Sequence, residues 1–238
     1  MKWSDFFTSS VGKKFVMGLT GLFLISFLII HVGVNACMFA DLSIFNPADD
    51  GTMFNIAAHF MGSMVVIRLL EYVLFLGIIL HIVQGYVLEA KNRGSRSVGY
   101  DVKMGNRGSK WYSRSMGLLG TLILLFLVIH LAHFWVKARF TESLEPVSYR
   151  GVEMHNMFKE MLIVFKEPLV VVIYVLGCIS LAYHLAHGFQ SAFRSIGVHN
   201  KKYNLMLTSL GYGFTIIVTL LFILMPIAVY FDWVGYHN

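Results

Sequence analysis

The sequence predicts an all-α integral membrane protein, a single domain built as a bundle of five transmembrane helices. Two observations lead there. Of 238 residues, 57% are hydrophobic and only 13% charged, with a mean hydropathy of +0.68, whereas a soluble domain carries about 25% charged residues and needs them to cover its surface. The charges are also bunched, leaving uncharged stretches at 15–40, 72–88, 115–136, 168–193 and 203–231, and roughly 20 apolar residues of helix cross a hydrocarbon core. A water-soluble enzyme is excluded.

The elements follow in order. A short amphipathic N-terminus with Trp3, Phe6 and Phe7 leads into a first span at about 11–37. That span is too long for a signal-peptide core and lacks a small-residue cleavage site, so it reads as a mature helix. Asn46 to Gly51 is turn-rich, and the second span covers about 63–90. Lys91 to Lys110, rich in Gly, Ser and Arg, is a polar connection to a third span at about 115–138. In the polar segment 140–167, His155 to Phe165 forms an amphipathic stretch suited to a short interfacial helix. The fourth span starts at Pro168, a natural first-turn proline, and ends near Arg194. The fifth covers about 204–231, with Pro226 predicting a kink.

The formal charge of +6 and pI near 9.3 reflect topology rather than nucleic-acid binding. Thirteen of the nineteen Lys and Arg fall at the N-terminus (Lys2, Lys13, Lys14), in the second-to-third connection (Lys91, Arg93, Arg96, Lys103, Arg107, Lys110, Arg114) and in the fourth-to-fifth (Arg194, Lys201, Lys202). The positive-inside rule then makes the N-terminus cytoplasmic and the C-terminus external. Cys37 and Cys178 form no C-x-x-C pair and no C-x-x-C-H haem-attachment site. Any haem is therefore non-covalently bound.

Six of ten histidines (31, 81, 130, 133, 184, 187) lie inside spans, where an ionisable side chain is costly and marks a functional site or a helix-to-helix hydrogen bond. Depth discriminates between these. His81 lies ten residues before Lys91 and His184 ten before Arg194, about 15 Å from the cytoplasmic end at about 1.5 Å of rise per residue. His31 follows Lys14 by seventeen residues and His130 follows Arg114 by sixteen, about 25 Å in. Four spans thus supply two histidine pairs at two levels, about 10 Å apart. A faint internal repeat accompanies them: Phe27-Leu-Ile-Ile-His31 against Phe126-Leu-Val-Ile-His130, and His81-Ile-Val-Gln-Gly85 against His184-Leu-Ala-His-Gly188.

Two neutral imidazoles facing each other across a bundle can grip a haem iron from both faces. Zinc or copper would call for thiolate, carboxylate or more histidines at one level. Two haem b groups are the favoured reading. Gly85 and Gly188, one turn beyond their ligands, either let a flat macrocycle lie against the helix or serve close helix packing. His133 and His187, three residues past ligands, fit bonds to propionates, quinone or neighbouring helices, or ligation in place of the chosen residues; taking His187 would break the depth match with His81.

These residues resemble the cytochrome b membrane-anchor subunits of succinate:quinone oxidoreductases, the succinate dehydrogenases and fumarate reductases, of the single-subunit, two-haem type. The likeness rests on five spans, four histidines on the first four, the H-x-x-x-G pattern at His81 and His184, and the opening Ser9-Ser-Val-Gly-Lys-Lys-Phe-Val-Met-Gly-Leu-Thr-Gly21. It implies a proximal haem on His81 and His184, a distal haem on His31 and His130, and flavoprotein and iron-sulfur subunits on the cytoplasmic face. It also implies a quinone near the outer face, menaquinone in this class, and a bacterial cytoplasmic membrane. One fumarate-reductase branch has a Glu two residues before the fourth-span ligand; Ala182 stands here, so proton return by that route is not implied.

For quinone chemistry, Glu71 is a candidate for proton transfer. Arg68, sharing its helix face as an i, i+3 pair, suits a propionate clamp or a structural ion pair, and His59 is a further candidate by position. Gln84, Tyr86 and Ser26 fit helix-to-helix hydrogen bonds, and Trp3, Trp111, Trp135 and Trp233 fit interfacial belts. Flavin motifs and iron-sulfur cysteines are absent, so no dicarboxylate chemistry is expected on this chain. Two other readings stay open: the cytochrome b subunit of a membrane hydrogenase or formate dehydrogenase, and a proton-coupled transporter or channel.

Overall fold

The structure is a computed structural model describing residues 9–42, 44–46, 48–94, 111–141, 143–198 and 200–236. Trp3 with the amphipathic N-terminus, and most of the basic connection before residue 111, lie outside the described residues. Among the described residues, five helices are long and apolar enough to cross a membrane: Ser10–Asp41, Val65–Gly94, Met116–Phe140, Pro168–Ser195 and Lys202–Tyr230. Each agrees with its predicted span to within about one helical turn of 3.6 residues. Large apolar side chains such as Val65, Leu169 and Leu205 are more than two-thirds exposed, the pattern of helices whose solvent is lipid.

Helix α1 (Ser10–Ala36) opens on Ser9, whose hydroxyl accepts from the Gly12 amide at 3.0 Å, satisfying one of the orphan N–H groups of a helix start. It tightens into a 3-10 turn at Cys37–Asp41. Helix α2 (Thr52–Ser63) and helix α3 (Val65–Gly94) are separated by extended Met64. Helix α4 (Met116–His130) passes through a π-helical turn at Leu131–Trp135 into α5 (Val136–Phe140). A two-stranded hairpin follows, β1 (Pro146–Tyr149) and β2 (Val152–His155), antiparallel with Tyr149 opposite Val152. Helix α6 (Met157–Lys166) realises the predicted amphipathic stretch. Helices α7 (Pro168–Ser195) and α8 (Lys201–Tyr230) complete the chain, α7 with proline in its first turn as expected and α8 with Pro226 buried inside it.

The hairpin and α2 went unread in the sequence. The hairpin turns on Arg150 and Gly151, both in the left-handed region, a two-residue turn whose twist matches the strands; its strands of four residues are too short to display alternation. Helix α2 was hidden because its apolar residues merge with those of the second span.

By its contacts the chain divides into two units, one of residues 1–27, 72–122 and 180–216 and the other of 28–71, 123–179 and 217–238. Small residues pack the first. A Cβ on Gly77 would come within 2.8 Å of the Phe23 ring, on Gly211 within 2.7 Å of Phe189, and on Gly18 within 3.0 Å of the Ala192 carbonyl. The second unit holds a polar core made by the segments between spans. Buried Asn55 donates to Asn156 Oδ1 at 3.0 Å and to the Tyr149 hydroxyl at 3.1 Å, and accepts from the Phe158 amide at 2.9 Å. Asn156 caps α6 through the Lys159 amide and donates to the Tyr236 hydroxyl. Asp41, fully buried, accepts from the Asp50 and Gly235 amides, tying the ends of two spans together.

Candidate functional site

In the second unit, α1 and α4 bring His31 and His130 together with ring centroids 5.7 Å apart and planes crossed at 87°. An aromatic wall surrounds them: Phe222 lies 5.6 Å from His31, and Phe126, Phe134 and Tyr174 lie 5.5 to 5.9 Å from His130. Asn35, one turn on from His31, donates to the His31 carbonyl at 2.8 Å and lies 3.4 Å from its Nδ1. In the first unit, α3 and α7 bring together His81 and His184, with centroids 6.2 Å apart and planes at 63°. The four histidines singled out by depth are thus two facing pairs.

One histidine of each pair, His130 and His184, has a buried Nδ1 with no hydrogen-bond partner. Among the described residues no three or more His, Cys, Asp or Glu gather as metal ligands. Two protein ligands complete a coordination sphere when the metal brings its other ligands with it.

The glycines separate into two kinds. Those at 18, 77, 177 and 211 are in tight packing, Gly177 with Phe126 atoms 2.6 Å from where its Cβ would stand. Gly85 and Gly188 are not: a Cβ on Gly85 would meet only the Met17 methyl at 3.6 Å, and on Gly188 only the His184 ring at 4.0 Å. Close helix packing therefore does not account for them. Two further glycines border the same pair, Gly21 with a would-be Cβ 3.5 Å from His81 Cε1 and Gly120 with one 3.9 Å from His184 Cε1. Four helices thus present bare backbone around His81 and His184. Sequence reasoning passed over Gly21 and Gly120 because they lie ten residues before His31 and His130, far in sequence from the histidines they border.

A second polar group lies at Glu71. Its cation is Arg139, at 2.6 Å, rather than Arg68, and Trp135 Nε1 donates to its other oxygen at 2.7 Å. Trp135, read as a belt residue, is a hydrogen-bond donor to a carboxylate. Arg139 also donates to the Gly62 carbonyl at 3.2 Å, as does Arg68 Nε at 3.1 Å. Exposed Arg68 thus shares an acceptor with Arg139, and the proposed Arg68–Glu71 ion pair is not made. His59 sits half-buried on α2 and joins none of these bonds among the described residues.

His133 falls in the π-helical turn, stacks on Tyr174 at 10° and shares a 3.0 Å hydrogen bond with its hydroxyl, so it bonds a neighbouring helix. His187 is half-buried, three residues beyond His184. Tyr86 and Thr121 hydroxyls bond between helices at 2.9 Å as expected. Ser26 does not: it donates to Phe23 within its own helix. Gln84 Oε1 is buried without a partner instead of joining two helices. Against protein-family models, curated proteins and solved structures, the chain matches none.

Proposed function

We propose that this chain is a di-haem cytochrome b, the quinone-reactive membrane subunit of a bacterial succinate dehydrogenase or fumarate reductase complex. The observation that carries the reading is the pairing of four intramembrane histidines, one from each of four helices, into two facing sets. Two iron–nitrogen bonds of about 2 Å plus two imidazole radii of about 1 Å put the ring centroids of a bis-histidine site about 6 Å apart, against 5.7 and 6.2 Å here. The bare glycine surfaces beside His81 and His184 suit a flat macrocycle. Haem b, held between the histidines of each pair, would supply one-electron exchange.

The protein's own residues do the rest. His81 with His184, and His31 with His130, hold the two groups at fixed places along the helices, and the aromatic wall keeps water from the second pair. Glu71 receives or returns the proton of a quinone, oriented by Trp135 and Arg139, and Arg68 adds positive charge beside it. By the charge asymmetry the N-terminus is cytoplasmic, so His81 and His184 serve the side where flavoprotein and iron-sulfur subunits dock.

The test is a pyridine haemochrome assay on the purified chain, with redox titration. Two haem b per chain are expected, with His81→Ala and His184→Ala each losing one haem and His31→Ala and His130→Ala each losing the other. A chain without a reducible b-type spectrum, or variants that all keep both haems, overturns the proposal.

A further inference from the structure

We infer that Thr20 sets the tautomer and ring orientation of His81, making it a positioning residue for that site; the inference rests on the haem reading above. The argument begins with one proton. Thr20 Oγ1 is 2.9 Å from the Val16 carbonyl and 3.2 Å from the Met17 carbonyl of its own helix, the back-bonding habit of a helical threonine. A hydroxyl has a single hydrogen, and carbonyl oxygens can only accept. That hydrogen is therefore committed to the backbone.

The same Oγ1 lies 3.2 Å from His81 Nδ1. With its hydrogen engaged, the oxygen can only accept, so Nδ1 carries the proton and donates it. In a neutral imidazole the other nitrogen, Nε2, is then the one with a free lone pair. Nε2 is the ligating nitrogen that a metal site needs, and an Nδ1–H donated to an oxygen is the usual outer-shell device that orients such a ligand and raises its basicity.

The neighbouring residue borders the same ring. Gly21 faces the same edge of the ring, where a Cβ would lie in ordinary contact, 3.5 Å from Cε1 and 4.0 Å from Nδ1, so two successive residues of α1 lie against the imidazole. The partner histidine has no such device: Nδ1 of His184 is buried and unpaired. The two ligands of this pair are thus unlike, His81 oriented by the protein and His184 free of a side-chain anchor at Nδ1.

The experiment compares the full chain with Thr20→Val, which keeps the shape and removes the acceptor, and Thr20→Ser, which keeps the hydroxyl. Haem content, midpoint potentials and low-spin electron paramagnetic resonance signals are recorded for both haems. Thr20→Val is expected to weaken retention of the haem at His81 and His184 by about tenfold or more. It should also raise the midpoint of that haem, because a less basic ligand favours ferric iron less. Thr20→Ser should match the parent, and the haem at His31 and His130 should be unchanged, serving as the control for folding. If Thr20→Val keeps both haems with unaltered potentials and signals, or weakens both alike, the role of Thr20 is overturned while the haem reading stands. A parent chain without haem overturns both.

Discussion

The carboxylate of Glu71 on α3 and the indole of Trp135, five residues beyond His130 at the end of α4, are joined by a 2.7 Å hydrogen bond. With Arg139 on the other oxygen at 2.6 Å, the bond fixes one intramembrane acid against the chain segment that follows a paired histidine. Removing the acid without changing its size separates proton chemistry from structure. Glu71→Gln should keep both haems and lower haem reduction by a quinol analogue by about 100-fold, while reduction by dithionite is unaffected. Trp135→Phe, which leaves the acid but removes one anchor, should lower it less. A stopped-flow comparison of the two reductants reads both; equal quinol rates in Glu71→Gln and the parent would reject Glu71 as the proton acceptor.

The two kinds of glycine give opposite expectations for one substitution. Gly77→Ala places a methyl within 2.8 Å of the rigid Phe23 ring and should destabilise the fold by about 1–3 kcal/mol. Gly85→Ala meets only a flexible methionine end, so the apoprotein should melt as the parent does. On the di-haem proposal its haem content should fall, because the added methyl would intrude on the macrocycle's face. Thermal melts with and without haem, alongside haem stoichiometry, distinguish the two.

Gly51 has φ +74 and a would-be Cβ 2.1 Å from the Phe158 ring. Both strain and overlap oppose any side chain there, and Gly51→Ala should cost about 2–4 kcal/mol. Asn55→Ala should cost about 2 kcal/mol or more, since the Phe158 amide loses its buried acceptor. Proteolysis of the segments joining the spans should accelerate in both variants, with the haem spectra of intact protein unchanged.

Tyr236 titrates above its usual range because burial penalises the phenolate, an effect that outweighs the opposing Asn156 bond. A raised folded pKa means that its contribution is fully present below about pH 10, the unfolded value, and is lost as pH rises through the folded value. Melting temperature should therefore drop above about pH 10 in the parent and drop less in Tyr236→Phe.

Much of this was legible in the sequence for a simple reason. In a bilayer, length and charge placement dictate where helices begin and end, so spans such as 168–194 could be read almost to the residue. The histidine pairs were legible because rise per residue converts sequence distance into depth. What could not be read depends on azimuth and on chain that leaves the helices. Arg139 and Arg68 compete for Glu71 at similar depth, and only the turn of α5 beyond the π-helical residues decides between them. Thr20 looks like any small polar residue in a helix until the packing of α1 on α3 puts its oxygen beside His81.

The pairing order carries a consequence for how the protein is made. His31 and His130 sit on the first and third spans, so their site can close while the chain is still being synthesised. His81 waits for His184 on the fourth. Binding groups captured as soon as their ligands meet would enter in a fixed sequence, the His31–His130 site first, and a chain stopped after the third span should hold one and never the other.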